Sequence, residues 1–580
     1  MKDIRSYENF SLAPVLRPEY ANVKTERVNF LSAAGDRIVG FCDRPQGAFP
    51  KGHAIVVPPY GKTKSSDLPL AYYLALNGFQ VLRYDHTHHV GESDGSMLFA
   101  SLSQMLQDLT AAIDFVETQY GATRVALVSS SLGVRVALKA ARRDQRVGLL
   151  IGLIGVFNLQ QTLYAMYRED GVEKTRQGIA LGLRDILGFQ IDADHFLADA
   201  IRANFHSLDS SLEDAGGVHV PTVLFVADRD PWVVSEEVKQ VFDRVPAKKK
   251  ELHWLRNTMH ELYENPVSAH FAFRKVVAVV EKYLAGREIA LDDVQTPEQP
   301  VLARRFREEK KAQTVAGLNA AEEKRFWKKY LEKYAYIVNL QDYWNLLDFS
   351  SRLLGDWKKG ERVLDAGCGI GNFGTFILIR QLYQLMQGKT GGFQKLPLCR
   401  YLGVDFVDEA VRQARDTHQQ IQQEFKRKLG LGADIPDIMA YSYLVLDLNQ
   451  ALPFNTRYFD KIYCNFVVSY LNDPLRTVKD LFRTLKTRGK MVVTSLKPYA
   501  DLSQIYRDFI EVTRSPQELE QARLVLNNAG MIKHKEAEGY YQFFSEVELR
   551  DLLMEAGGSN IQIIRSFGDQ ANVAVAEKSP

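Results

Sequence analysis

Residues 362–374 read Arg-Val-Leu-Asp-Ala-Gly-Cys-Gly-Ile-Gly-Asn-Phe-Gly. A short apolar run that passes through alternating glycines into a helical pattern reads as the first βα turn of an open α/β sheet. A second diagnostic turn lies far upstream, Val-Ser-Ser-Ser-Leu-Gly at 128–133. It also follows an apolar run and also opens a helical pattern. A chain of 580 residues exceeds the ~250–300 that a single core usually organises. Two α/β domains, with two unrelated chemistries, are therefore expected on one polypeptide.

Strand and helix patterns alternate through both halves. In the first, Ala54–Val57, Phe79–Tyr84, Arg124–Val128, Leu149–Gly155 and Thr222–Ala227 are short apolar runs. Between them, Leu102, Met105, Leu106, Leu109, Ile113 and Val116 recur at helical spacing. That rhythm predicts a parallel sheet covered on both faces. It breaks at about 156–220, which reads as a mostly helical cap over the carboxyl ends of the strands. A charged stretch at 291–323, with the basic run Arg304–Lys311, reads as a solvated linker. The expected limits are 1–290, the linker, and 324–580. In the last part, strands are expected at 362–366, 400–405, 441–446, 459–465 and 489–495. Two more, at 561–566 and 571–577, should form a closing antiparallel pair. Residues 375–399 read as a surface insertion.

The upstream turn has the form of a nucleophile elbow centred on Ser131. Small residues are needed two before and two after the nucleophile, because strand and helix backbones approach closely there. Those positions are Ser129 and Gly133, so serine replaces the first glycine of the usual pattern. Asp230 follows a strand, and His260 sits just before a helix. The order Ser131, Asp230, His260 is that of a hydrolase triad. A serine hydroxyl needs a base to attack, and His260 would take its proton while Asp230 holds the imidazole tautomer. Asp228 is the alternative acid. Backbone N–H groups of Tyr60 and Leu132 are expected to form the oxyanion hole. The cluster His86-Thr-His88-His89 lacks a carboxylate or cysteine at metal-ligand spacing. It reads as a loop that walls the site, and no metal is expected.

Leu82-Arg-Tyr-Asp85 with His88-His-Val-Gly91, Ser130-Ser-Leu132, Trp232-Val233 and His260-Glu-Leu262 resemble the luciferase-operon acyl-transferase family, from about residue 25 to about 313. The resemblance implies an α/β-hydrolase that releases fatty acid from acyl-carrier-protein thioesters. It implies acyl thioester substrates, with an acyl carrier protein as partner. It also maps nucleophile, acid and base onto Ser131, Asp230 and His260. Acyl length, and hydrolysis against transfer, stay open.

The downstream loop also contains a G-x-G-x-x-G pattern, so a dinucleotide site competes with S-adenosylmethionine. Asp365 ends the strand before the loop, where a carboxylate suits the cationic end of S-adenosylmethionine and not a pyrophosphate. Asp405 ends the next strand, placed for ribose hydroxyls. Asp447 follows the third, placed for the adenine amino group. These residues resemble the class I S-adenosylmethionine-dependent methyltransferases over roughly 324–578. The resemblance implies that Gly367, Gly369 and Gly371 let the cofactor approach the backbone. It also implies that the strand end at Asn465 faces the methyl-transfer centre. Methyl transfer works mainly by alignment. Tyr470, Tyr499 and Tyr540 are possible bases by location alone, with packing as the competing reading for each.

A formal net charge of +2 offers no basic footprint for nucleic acid. No membrane-length apolar run and no leader pattern are visible. Four scattered cysteines read as reduced, buried thiols in a cytoplasmic protein. The expected protein is a bifunctional enzyme, a serine acyl-thioester hydrolase or acyltransferase fused to a methyltransferase acting on a small molecule or lipid. The alternatives are a methyltransferase with a non-catalytic, acyl-carrier-binding first domain, and a regulator that binds S-adenosylmethionine without turnover.

Overall fold

The computed structural model describes residues 23–298 except 48, then 302, 324–328, 330–331, 340–388, 398–428, 430, 436–513, 515–538 and 541–579. The basic run 304–311, Tyr540 and most of the expected linker lie outside these residues. Contacts group the chain into two compact units. One comprises Leu12–Thr314 with Leu526–Gly539, and the other comprises the remainder.

The first unit is built on an eight-stranded sheet in the order β1-β2-β4-β3-β5-β6-β9-β10. Its strands are β1 (Val23–Leu31), β2 (Arg37–Pro45), β3 (His53–Val57), β4 (Gln80–Tyr84), β5 (Val125–Ser130), β6 (Val147–Gly155), β9 (Thr222–Ala227) and β10 (Lys250–Leu255). Strands β4 to β10 pair in parallel, and β1 and β2 extend the sheet antiparallel. The continuous apolar runs are the doubly covered strands, and every residue of β6 is buried. Successive residues serve opposite faces. Ile55 and Val57 join one core cluster, and Ala54 and Val56 join the other. β1, β2 and β10 were absent from the sequence-based set. β1 and β10 are half-exposed and carry no long apolar signal, and β2, though mostly buried, is interrupted by Gly40, Asp43 and Arg44.

The cap is mostly helical, as expected, with one hairpin in addition. Helices Leu159–Tyr167, Gly171–Arg176, Ala193–Arg202 and Leu208–Ala215 are present, but β7 (Leu183–Ile186) and β8 (Phe189–Asp192) form a hairpin between them. Leu187 and Gly188 link these strands with φ of 51° and 89°. Two consecutive positive φ values match the right-handed strand twist. Leucine is an uncommon residue for that bend, which hid it from a sequence reading.

The second unit carries a seven-stranded sheet in the order β13-β12-β11-β14-β15-β17-β16. The strands are β11 (Glu361–Ala366), β12 (Cys399–Asp405), β13 (Met439–Val445), β14 (Phe459–Asn465), β15 (Leu485–Leu496), β16 (Gly558–Ser566) and β17 (Ala571–Lys578). Only β17 runs antiparallel to its neighbours, through the expected closing hairpin. Strand order reverses between β11 and β14, which opens a crevice at their carboxyl ends. The helix after the glycine loop runs from Asn372 to Met386. Residues 375–386 are thus helix and not insertion, and 389–397 lie outside the described residues.

All four cysteines are buried and unpaired. No helix among the described residues is long and apolar enough to cross a membrane.

Candidate active sites

Ser131 stands between β5 and the helix Ser131–Arg143 with φ of 49°. A non-glycine residue there is strained by ~1–3 kcal/mol, a cost that marks functional turns. The strain lifts the hydroxyl clear of the strand end. Ser131 Oγ lies 2.8 Å from His260 Nε2. His260 Nδ1 lies 2.7 Å from Asp230 Oδ2. The other oxygen of Asp230 accepts from the N–H groups of Trp232 and Val233, at 2.8 and 3.1 Å. The carboxylate is therefore held on both sides, and its side chain is 3% exposed. Ser131, His260 and Asp230 form one hydrogen-bonded line, the geometry that a serine nucleophile, its base and an orienting acid require.

Asp228 takes a different task. Its Oδ1 accepts from Thr258 N at 3.3 Å, and Arg256 approaches it at 3.8 Å. It braces the loop that carries His260 and does not contact the imidazole. Of the two acids, Asp230 is the one that bonds His260 Nδ1.

The loop Pro58–Gly61 follows β3 and packs under the elbow. A Cβ on Gly133 would fall 2.3 Å from Ser129 Oγ and 3.3 Å from Pro59 Cα, so glycine is required there for space. Ser129 uses its hydroxyl to reach Val57 O at 2.8 Å, which accounts for serine at the other flank. The backbone N–H of Tyr60 has no hydrogen-bond partner among the described residues. Leu132 N–H belongs to the first helical turn, where no intrahelical acceptor exists, and Ser130 makes no side-chain cap. Two open donors thus flank the nucleophile, as an oxyanion site requires.

His86 and His89 are absorbed by this loop. His86 Nε2 donates to Pro58 O at 3.2 Å while its Nδ1 faces Asp108 at 3.3 Å. His89 Nε2 accepts from Gly61 N at 3.1 Å, so its proton sits on Nδ1. Burial, then the neighbouring His86 and His534, hold its pKa well below 6.5. Beneath them, Lys64 pairs with Asp85 with both side chains fully buried, and reaches Glu92 at 2.8 Å. Removing one partner from such a pair is costly, because the other stays charged and buried. Lys62 pairs with Glu261, the residue after the base, at 3.1 Å. Sequence reading missed Lys62, Lys64 and Asp108, since each partner is distant in the chain.

In the second unit, the expected residues gather at the carboxyl ends of the parallel strands. Gly367, Gly369 and Gly371 all have positive φ, from 51° to 83°. A Cβ on Gly367 would strike Val467 at 2.2 Å, whereas one on Gly369 would meet only Leu331, at 3.3 Å. A side chain at either position would therefore crowd a neighbour, and the positive φ adds strain to any substitution. Asp405 accepts from Gly369 N at 2.9 Å and Val407 N at 3.0 Å, tying the loop to β12. Burial raises its pKa, against the backbone donors that lower it. Asp447 is half-buried just beyond β13, with one oxygen on Asn449 N at 2.9 Å. Asn465 ends β14 and accepts from Thr494 Oγ1 at 2.6 Å.

Asp365 is 2% exposed and accepts the hydroxyl of Tyr401. Burial pushes its carboxyl up to about 7, with the Tyr401 bond opposing and Asp405 adding to the rise. Only its ionised form can answer a cationic ligand, so near neutral pH it is poised between the two states. His418 donates its Nε2 proton to Gly371 O at 3.1 Å and braces the loop from behind. Tyr401 and His418 were also missed by sequence reading, because their helix and strand meet the loop only in the fold. Tyr470 packs in an aromatic cluster with Trp327, at 4.6 Å between ring centroids, and Tyr541. No group of three His, Cys, Asp or Glu that could hold a metal occurs among the described residues.

A family model described as acyl transferase matches residues 45–294, and one described as methyltransferase domain matches 294–563. An acyl transferase of Photobacterium phosphoreum is 33% identical over 196 residues, covering 34% of this chain and 63% of that protein. One of Aliivibrio fischeri is 30% identical over 244 residues, covering 42% of this chain and 76% of that protein. Among solved structures, an esterase of Pyrococcus furiosus is 16% identical and covers 46% of this chain and 96% of its own, with a TM-score of 0.35. An α/β hydrolase of Penicillium is 17% identical and covers 45% and 99%, with a TM-score of 0.36. The chain belongs, through its first half, to the luciferase-operon type of acyl transferase family, and its second half is a methyltransferase domain.

Proposed function

We propose that the chain is a bifunctional enzyme that cleaves or transfers acyl groups from thioesters through Ser131 and methylates a second substrate with S-adenosylmethionine. The observation that carries the first activity is the line from Ser131 through His260 to Asp230, set beside two open backbone donors. His260 takes the Ser131 proton as Oγ attacks the thioester carbonyl. The tetrahedral oxyanion accepts from Tyr60 N–H and Leu132 N–H. On collapse, the C–S bond breaks, His260 returns the proton to the thiolate, and the acyl group stays on Ser131. Water or another hydroxyl acceptor, deprotonated by His260, then releases it. An acyl carrier protein is the proposed donor. Each oxyanion donor is worth on the order of 10²–10³ in turnover.

In the second half, the glycine loop 367–371 with its positive φ values and the acids at the strand ends fit S-adenosylmethionine. Bound there, the cofactor supplies an activated methyl group. Asp405 would hold the ribose hydroxyls, Asp447 the adenine amino group, and ionised Asp365 the cationic end. Asn465 lies at the strand end that faces the acceptor, a small molecule or lipid. The protein's part is alignment of the acceptor.

Mass spectrometry of the full chain after exposure to a panel of acyl thioesters tests the first activity. An acyl adduct on Ser131 is expected. An intact, unmodified Ser131 with every thioester favours a first domain that only binds acyl carriers. Formation of S-adenosylhomocysteine in the presence of extract metabolites tests the second, and its absence leaves a binding protein.

A further inference from the structure

The side chain of Tyr60 leaves the oxyanion loop and lodges in the cap. Its ring packs edge-on against Phe189 and Phe196, each 6.2 Å away between centroids. Its hydroxyl donates to Ile186 O at 3.3 Å. Burial, then Tyr167 and Asp185, raise its pKa well above 10, so the phenol keeps its proton for that bond. Ile186 and Phe189 flank the bend of the β7–β8 hairpin. The next loop residue touches the hairpin as well, since a Cβ on Gly61 would fall 2.7 Å from Phe189 Cε2.

From below, the loop is held at Pro58 by His86 and at Gly61 by His89. His89 also meets the Tyr60 ring edge-on at 5.6 Å. These anchors lie on either side of Tyr60, and Lys62 N donates to Pro59 O at 3.2 Å, while the Tyr60 N–H itself has no partner among the described residues. The Pro59 carbonyl anchors one side of that peptide, and the Tyr60 side chain, held by the hairpin, anchors the other.

We infer that the hairpin Leu183–Asp192 sets the oxyanion donor through Tyr60 and Phe189. In this arrangement the cap takes part in the reaction itself and does more than cover the acyl chain. Phe189 and the phenol of Tyr60 are positioning residues, acting through the Tyr60 N–H. The site is competent only while the hairpin is seated. The inference rests on the Ser131 reading of the preceding section.

The test uses full-length Phe189→Ala and Tyr60→Phe, assayed on p-nitrophenyl acetate and on a long-chain acyl-CoA. A two-carbon acyl group is too short to need a hydrophobic wall. Misplacing a catalytic group by ~1 Å costs up to ~10² in rate. For Phe189→Ala, kcat should fall about tenfold or more on both substrates while KM stays within about twofold. Tyr60→Phe loses one hydroxyl and keeps the ring, so its fold is safe and its kcat should fall on both substrates by a smaller factor. A rise in KM for the long-chain substrate alone, with acetate turnover intact, would make these residues an acyl-pocket wall and overturn the inference. Amide hydrogen exchange supplies a second readout that needs no turnover. Gly61 and Lys62 amides should exchange faster in Phe189→Ala, and unchanged protection overturns the inference. If Ser131→Ala cleaves the acetate ester as fast as the parent chain, the serine reading fails, and the exchange data alone decide the role of the hairpin.

Discussion

The Ser129 hydroxyl donates to Val57 O at 2.8 Å, tying the strand that leads into Ser131 to the strand that leads into the loop Pro58–Gly61. Serine therefore does what a bare glycine cannot, while Gly133 opposite keeps the space for it. Ser129→Ala loses one buried hydrogen bond, worth about 1 kcal/mol. Its denaturant midpoint should drop, while fluorophosphonate still labels Ser131. Loss of labelling in this variant, with Ser131→Ala still labelled, would move the nucleophile to Ser129.

Ser131→Ala should abolish acyl release. Loss of the nucleophile in a serine hydrolase triad costs on the order of 10⁶ in turnover. Binding of S-adenosylhomocysteine should be unchanged, because the glycine loop and Asp405 belong to the other contact unit. Steady-state thioester kinetics and calorimetry on the same preparation check both halves of the statement.

The two acids near His260 should separate cleanly. Asp230→Asn keeps the shape but favours the wrong imidazole tautomer, a change that costs on the order of 10⁴ in kcat. Asp228→Asn still accepts from Thr258 N and should keep activity within a few-fold of the parent. Equal losses in the two variants would show that the bracing of residues 256–258 matters as much as the tautomer.

Asp365 gives the fold a pH signature. Its native carboxyl titrates at about 7, above the ordinary 3.8. Between these values the native state holds a proton that the unfolded chain has released. Stability contributed by this group is therefore lost as pH rises from about 4 to about 7. Asparagine stays neutral and still accepts from Tyr401. The melting temperature of Asp365→Asn should exceed that of the parent by a margin that widens from pH 5 to pH 8. A constant margin would mean that Asp365 is ionised in the fold throughout.

Asp405→Ala should weaken binding of S-adenosylhomocysteine at least tenfold, since each charge-assisted bond to a ribose hydroxyl contributes about 1.5–3 kcal/mol. Part of the loss comes from the glycine loop, which Asp405 holds through Gly369 N. Thioester cleavage should be unaffected. Calorimetry with NAD is the control, and tight NAD binding without S-adenosylhomocysteine binding would replace the cofactor assignment.

Local pattern alone was enough for two α/β domains, because fully buried parallel strands must read as continuous apolar runs, as β6 does. The elbow at Ser131 and the glycine loop at 367–371 were also legible, since each needs small residues at fixed offsets for steric reasons that act within one turn. Tertiary structure alone decided the rest. Sequence ranked Asp230 first with Asp228 as the alternative, and the path of the 256–260 loop brings Asp228 to Thr258 and Asp230 to His260. Strands β1 and β10 gain their partners across the sheet, so their half-exposed sequences carried little signal. The cap hairpin turned on a Leu–Gly bend whose backbone angles no propensity announces. The link from that hairpin to Tyr60 joins residues more than a hundred positions apart, and contacts of that kind are specified by packing in three dimensions and leave no trace in local spacing.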